Sequence, residues 1–172
     1  AFGNKALYSN TTATSNTAIG YQSMLDNTGG GNTAVGHASL PNNAGDYNVA
    51  TGYLSLSTNT EGSENTAIGT SALQLATTGS YNTALGRSAG NTLTTGSNNT
   101  FIGYSAQPSA PDVSNEVTIG NDDVTRTRLK GNVEMEERLT LKNEQNNALH
   151  GINASSNAGN LAINIDYEDT GN

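Results

Sequence analysis

A short motif that ends in glycine recurs along this chain at a nearly constant interval. It reads Asn-Thr-Ala-Ile-Gly at 16–20, Asn-Thr-Ala-Val-Gly at 32–36 and Asn-Thr-Ala-Leu-Gly at 82–86. The closing glycines, from Gly3 to Gly120, are spaced 17, 16, 16, 17, 17, 17 and 17 residues apart. Chance does not keep such a register through seven intervals, so the chain is a tandem repeat. The positions that define the repeat are Asn16, Ile19, Gly20, Asn32, Val35, Gly36, Asn48, Gly52, Asn65, Ile68, Gly69, Asn82, Leu85, Gly86, Asn99, Ile102 and Gly103.

A unit of this length is too short for two helices. It predicts two short strands and two turns, which make one coil of an all-β solenoid, and about seven such coils follow from the spacing. Parallel coils stack about 4.8 Å apart, so equivalent residues lie above one another and the asparagines are predicted to form an amide ladder. A second glycine, such as Gly29 in Asn27-Thr28-Gly29, is predicted to take a positive φ in a turn.

The alternation within each strand predicts two faces. Thr17 and Ile19 point one way, and Asn16 and Ala18 point the other. We expect the large aliphatic column to lie inside the coil. The alanine face has small residues that let another backbone approach, and one coil encloses little core alone. The alanine face is therefore predicted to pack against neighbouring chains around an axis.

Composition narrows the range of functions. Hydrophobic residues make up 33% of the chain, below the roughly 45–50% of an average domain, so a thick apolar core is not expected. Cysteine is absent, which excludes disulfides and Cys-ligated metals. The sequence has no run of about 18 apolar residues that would predict a membrane span. A net charge of −8 gives no basic footprint for nucleic acid.

Charge also divides the chain. Residues 1–114 hold seven charged residues and residues 115–172 hold fifteen, with a break predicted at the prolines of 107–111. Alternating residues after 132 predict strands, with a short helix at 136–142 as the alternative. The chain begins inside a repeat, without Met or a signal peptide, and is interpreted as a piece of a longer fibre. The predicted domains are a repeat domain at 1–120, an exit or neck segment at 121–133 and a β-rich C-terminal segment of unknown type at 134–172.

Two short motifs match catalytic patterns but are read as structural. Gly86-Arg87-Ser88-Ala89-Gly90 fits the nucleophile elbow, yet Ser88 occupies a varied repeat position outside any strand–helix context. The triplet at 169–171 matches that of aspartic proteases, but no second lobe accompanies it. We therefore predict no catalytic residue, no cofactor and no enzymatic activity.

Candidate metal ligands are few. His37 follows a closing glycine and His150 lies in a polar stretch, and two distant histidines without cysteine do not make a zinc site. The acidic groups at 121–123 and 166–169 could bind Ca²⁺, but neither has EF-hand spacing. We interpret both groups as solvated turns and predict no metal site.

Aromatic residues follow several of the closing glycines. Tyr21, Tyr53 and Tyr104 are candidate surface-contact residues, because stacked tyrosines suit sugar rings and keep a polar hydroxyl. Plain packing or surface cover is the competing interpretation.

The repeat resembles a known family. The sequence at 16–25, the Asn-Thr-Gly at 27–29 and the next Asn-Thr-Ala-Val-Gly resemble the head repeats of trimeric autotransporter adhesins and, more closely, the related repeats of phage tail fibres. The adhesin repeat is shorter and has a Ser-Val-Ala-Ile-Gly core. The stretch at 117–133 resembles the exit from such repeats, which in that family often leads to a self-cleaving chaperone domain. The resemblance covers residues 1–133 and implies a left-handed parallel β-roll, three chains together, and exposure on a virion or cell surface.

These observations favour a structural or adhesive segment of an extracellular trimeric fibre, phage or phage-like, with a receptor-binding or spacer role. The alternative is the head domain of a bacterial trimeric autotransporter-type adhesin. The expected partners are two further copies of the chain and a cell-surface glycan or protein receptor, without membrane insertion. Ice- or glycan-binding solenoids are lesser alternatives, and the threonine column is expected to point inward with isoleucine, away from ice. A polysaccharide-degrading solenoid lacks a carboxylate pair in the repeats.

Overall fold

A computed structural model describes residues 1–130 of the chain. Seven three-residue strands form one parallel sheet in chain order, and Ala18 lies opposite Ala34, which lies opposite Ala50. This confirms the all-β parallel solenoid. The strands are β1 (Thr17–Ile19), β2 (Thr33–Val35), β3 (Val49–Thr51), β4 (Thr66–Ile68), β5 (Thr83–Leu85), β6 (Thr100–Ile102) and β7 (Val117–Ile119).

Several predictions concern residues outside the part of the chain that the structure describes. The β-rich segment at 134–172, the alternative helix at 136–142, and the motifs at His150 and at 166–171 lie outside the described residues.

The predicted break at 107–111 is not found, because the N–H of Thr94 donates to Pro111 O (2.6 Å) and β7 pairs with β6. The prolines therefore belong to a coil that stays in the stack.

The predicted second strand of each coil is absent in residues 1–130. After the closing glycines from Gly3 to Gly86, the second and fourth residues take a positive φ, as in Gln22 (54°) and Met24 (48°). A strand cannot contain this alternation, because extended backbone has a negative φ. Backbone hydrogen bonds still join this side of the coils, for example from Met24 N to Ser39 O (3.1 Å). The far side of each coil is thus a ladder of stacked turns.

The two faces of the strands are the reverse of the prediction. Ala18, Ala34 and Ala50 are fully buried inside the coil, whereas Ile19 is 43% exposed. The prediction that alanine packs against neighbouring chains is therefore wrong. The reason is volume: the turn side of each coil also points inward and already supplies a large side chain, namely Met24, Leu40, Leu56 or Leu73, each with no exposed surface. Only a small residue fits opposite it.

Two columns of glycine stand where coils touch. The closing glycines from Gly3 to Gly103 have φ between 118° and 138°, and a Cβ on Gly20 would overlap the carbonyl of Gly36. The second column, which includes Gly29 and Gly45, does not have positive φ, so that prediction is wrong. A Cβ on Gly29 would overlap the Gly45 carbonyl in the next coil. Both columns are therefore glycine because the coils approach so closely there.

The predicted asparagine ladder is present. The N–H of Asn82 donates to Asn65 Oδ1 (2.9 Å), and Asn65 Nδ2 donates to Gly79 O (2.9 Å) and to Asn48 Oδ1 (3.1 Å). The bond from a backbone N–H to the asparagine Oδ1 of the preceding coil recurs from Asn16 to the N–H of Glu116. The Asn65 amide thus bonds the backbone of the following coil and the asparagine side chain of the preceding one, and such bonds are worth most away from water.

A second, shorter ladder ends inside the protein. Asn59 Nδ2 donates to Asn43 Oδ1 (2.6 Å), and Asn43 Nδ2 donates to Asn27 Oδ1 (3.0 Å). In the following coil the equivalent residue is the buried Ala76. Asn59 Oδ1 consequently has no hydrogen-bond partner.

The two ladders predict different costs for the same substitution. Asn65→Ala removes the acceptor of the Asn82 N–H, whereas Asn59→Ala removes an oxygen that is already unpaired. We expect Asn65→Ala to lower the free energy of unfolding by about 1–3 kcal/mol more than Asn59→Ala, the cost of an unpaired buried group. Urea unfolding of both variants measures this. An equal or larger loss for Asn59→Ala would contradict the assigned bonding.

One coil exchanges large and small residues. Phe101 occupies the strand position that is alanine in β1 to β5, and it is fully buried. Gly90 occupies the position of Leu73 one coil on, and a Cβ on Gly90 would lie 2.6 Å from Phe101 Cδ2. The phenyl ring therefore fills the space that the missing leucine side chain leaves.

This exchange predicts a non-additive pair of mutations. Phe101→Ala should cost about 3–5 kcal/mol through the cavity it leaves, and Gly90→Leu should destabilise by overlap with the ring. The double variant restores the pairing of Leu73 with Ala84, and Leu73 already has a φ of 48°. We expect it to be more stable than either single variant in a thermal unfolding series. Additive losses would refute the proposed compensation.

Candidate functional site

The outward side of the sheet is the most distinctive surface of residues 1–130. Coils are numbered by their strands, so the third coil contains β3. In this coil, Tyr47 is exposed, Asn48 is buried, Val49 is half-buried, Ala50 is buried and Thr51 is half-buried. After the glycine, the next residue is exposed again. Each coil therefore contributes four outward residues, and their columns form a face about 20 Å wide and about 29 Å long, from 3.3 Å per residue and 4.8 Å per coil.

The inner two columns of this face are aliphatic and threonine. Large apolar side chains stand directly before the closing glycines, and Thr51 interrupts them in the third coil, where Val49 takes the threonine position. Exposed apolar stripes of this length are typical of interaction surfaces. The exposed members of the stripe are Phe2 (79%), Ile19 (43%), Ile68 (41%), Leu85 (49%), Ile102 (38%) and Ile119 (61%).

The threonine column also points outward. Thr17 and Thr83 are exposed, and Thr33, Thr66 and Thr100 are half-buried. Threonine does share a face with isoleucine, as predicted, but that face is the outer one. The expectation that threonine points inward is therefore wrong, for the same reason of coil volume.

The trailing edge of the face is the column that follows each closing glycine: Tyr21, His37, Tyr53, Thr70, Arg87, Tyr104. The rings of Tyr21 and His37 stack with centroids 5.2 Å apart, and those of His37 and Tyr53 do the same. The Arg87 guanidinium lies 5.6 Å above the Tyr104 ring. Much of the ring surface that a sugar would stack on is therefore occupied by neighbours within the chain.

The leading edge is the column just before each asparagine of the ladder: Ser15, Gly31, Tyr47, Glu64, Tyr81, Asn98, Asn115. All of these residues have positive φ, between 57° and 70°. Tyr47 and Tyr81 are 68% and 59% exposed. The Tyr47 ring leans over Gly31, where a Cβ would lie 2.6 Å from Tyr47 Cδ1. The sequence carried no local signal for these exposed tyrosines, since positive φ disfavours bulky residues.

The catalytic and metal candidates within residues 1–130 are not assembled into sites. Ser88 has a φ of 57°, and its N–H donates to Thr70 O in the ladder (2.8 Å). Within these residues no group of three or more His, Cys, Asp or Glu is placed to hold a metal ion. The Asn121 amide instead pairs with Asp123 Oδ2 (3.3 Å), beside an open cavity of about 580 Å³. No helix in the described part of the chain is long and apolar enough to cross a bilayer.

Comparison with known proteins adds no assignment. No family model, curated protein or solved structure matches this chain. The outward face must therefore be interpreted from its own geometry.

Glu116 replaces asparagine in the last described coil. Partial burial raises the pKa of this carboxyl, but hydrogen bonds from Ser109 Oγ, Ser109 N–H (2.9 Å) and Thr118 Oγ1 (3.0 Å) outweigh it. The net pKa lies below the usual glutamate value. The carboxylate thus ties residue 109 to β7.

A lowered pKa predicts acid-sensitive stability in this coil. Its contribution is complete above the unfolded-state pKa and is lost as the pH falls through the folded-state pKa. We expect the amides of residues 109–119 to lose protection from hydrogen exchange, relative to their intrinsic rate at each pH, as the pH falls below about 4.5 in the native chain. Glu116→Gln should remove that pH dependence, whereas an unchanged dependence in this variant would rule out Glu116 as its source.

Proposed function

We propose that this chain is a non-enzymatic structural and adhesive segment of an extracellular trimeric fibre. The outward apolar face is the single observation that carries the proposal. The rest of the coil pairs its polar groups internally through backbone and asparagine ladders, as the bonds around Asn65 illustrate. The face instead leaves an apolar stripe in water, interrupted at Thr51, at a cost that association would remove.

The size of the face suits association with other copies. Its dimensions give an area on the order of 600 Å², close to the roughly 800 Å² that each partner contributes to a standard interface. Three parallel faces around a common axis would bury the aliphatic stripes together. The resemblance of the repeat to trimeric fibre and adhesin repeats supports three as the number.

The mechanism of such a segment is mechanical. Hydrogen bonds run along the stack from coil to coil, so a pulling force along the axis is shared by the backbone and amide ladders at every step. The segment would hold a binding tip away from a surface or present repeated turns to a receptor. The head of a bacterial trimeric adhesin has the same mechanical requirements and stays the alternative.

An ice-binding face is the second candidate, favoured by the outward threonine column. Equivalent threonines stand in five of the seven strands, at coil steps of about 4.8 Å. Against this, valine replaces threonine at Val49 and Val117, and the adjacent column is aliphatic rather than hydroxyl-bearing. Clear thermal hysteresis in solution would favour this candidate over the fibre.

Oligomeric state tests the proposal directly. We expect light scattering to give about three times the 17.7 kDa chain mass. Placing lysine on the stripe at both Ile68 and Leu85 should yield monomers, because trimerisation would bury these charges without partners. Lysine at both Thr78 and Thr95 is the matched control: these residues are exposed, lie off the face and are also 17 apart. A monomeric native chain would overturn the proposal.

A further inference from the structure

The two edges of the outward face carry different residues. The leading edge presents tyrosine in the third and fifth coils, at Tyr47 and Tyr81. The trailing edge of the same coils presents Tyr53 and Arg87. Aromatic rings on one edge thus have an aromatic ring or a guanidinium at the same height on the other.

Symmetry determines which edges meet. In a closed ring about an axis parallel to the stack, the leading edge of one chain lies against the trailing edge of the next. Both edges of one coil stand at nearly the same height, because six residues separate them in a coil that rises about 4.8 Å over 16 or 17 residues. Contacts between chains then join residues of the same coil.

We propose that the chains associate through these edges, with Tyr81 of one chain packed on Arg87 of the next and Tyr47 packed against Tyr53. This inference rests on the proposed trimer and adds the residues that close it. Arg87 lies over Tyr104 on one side, and its planar guanidinium can take a second ring on the other. Tyr47 and Tyr53 are a pair of exposed rings that gain from stacking when water is excluded.

The pairing also avoids repulsion at each described coil. Glu64, the one acidic residue on the leading edge of the described coils, faces Thr70 in the same coil. Arg87, the one Lys or Arg on the trailing edge of the described coils, faces Tyr81 in the same coil. The two edges are therefore complementary without like charges in contact, which gives the chains a preferred partner and register. The tyrosines at 53 and 104 are then interface residues rather than sugar platforms.

Engineered cysteines can test whether the edges of the same coil meet between chains, since the native chain has no cysteine. Glu64→Cys with Thr70→Cys places thiols on both edges of the fourth coil and leaves all four proposed contact residues intact. The two positions lie on either side of β4, at opposite edges of the outward face, too far apart for a bond within one chain. Mild oxidation of the folded full chain should give covalent trimers on a non-reducing gel. The one-coil-offset controls are Glu64→Cys with Tyr53→Cys and Glu64→Cys with Arg87→Cys.

The contact between Tyr81 and Arg87 has its own test. Tyr81→Ala and Arg87→Ala should each weaken trimer assembly roughly tenfold, as expected for the loss of one partly desolvated cation–π contact of about 1.4 kcal/mol. The double variant should be little weaker than either single variant. Thr78→Ala, off the face, should leave assembly unchanged, and equal losses there or additive losses in the double variant would refute the contact.

The outcomes separate this inference from the proposed function. A native chain that is monomeric by light scattering overturns both. A trimer that is cross-linked by an offset pair, or by none of the three pairs, keeps the fibre proposal and overturns the same-coil edge contacts. A trimer linked through positions 64 and 70 alone supports both.

Discussion

The close stacking of equivalent coils is the constraint on which the rest of the structure depends. At the closing glycines, carbonyl groups of the next coil occupy the space of a Cβ, so any side chain at Gly20 or Gly36 would force the coils apart. Such a separation would break the backbone ladder and the asparagine ladder together. Length variation is therefore confined to the turn before the second glycine, where Asn27 is two residues from Gly29 but Asn59 is three from Gly62.

The repeat, the parallel sheet and the asparagine ladder could be predicted because each depends only on register. The direction of each face could not, because an alternation of two sorts residues into two sets without saying which set lies inside. The volume of the coil interior decides which set lies inside, because side chains from the turn side also occupy that interior. A signal was present: Phe101 replaces alanine only where Gly90 replaces leucine. Because the large and small side chains exchange together, the central residue of each strand must face the interior of the coil.

The backbone conformation of the turn side could not be predicted from local residue preferences, for a different reason. Eighteen non-glycine residues of the described chain have positive φ, among them Leu40, Leu56 and Leu73 near 50°. Isolated leucine disfavours this region. In the stack, these three leucines bury their side chains, and each donates its N–H to the next coil, as Leu73 does to Ala89 O (3.0 Å). Contacts between coils therefore compensate a local cost that a propensity scale counts against the structure.

The proposed trimer limits where a receptor could bind. In such a trimer, the outward face and both edges are buried in contacts between chains. The coil interior is closed by alanine, leucine and asparagine with no exposed surface. What stays in water is the row of turns around positions 58–61, 75–78 and 92–95, which is also where coil length varies. The exposed side chains of these turns, such as Thr78 and Thr95, can change in sequence without changing the fold, and that freedom is what a receptor-binding surface needs.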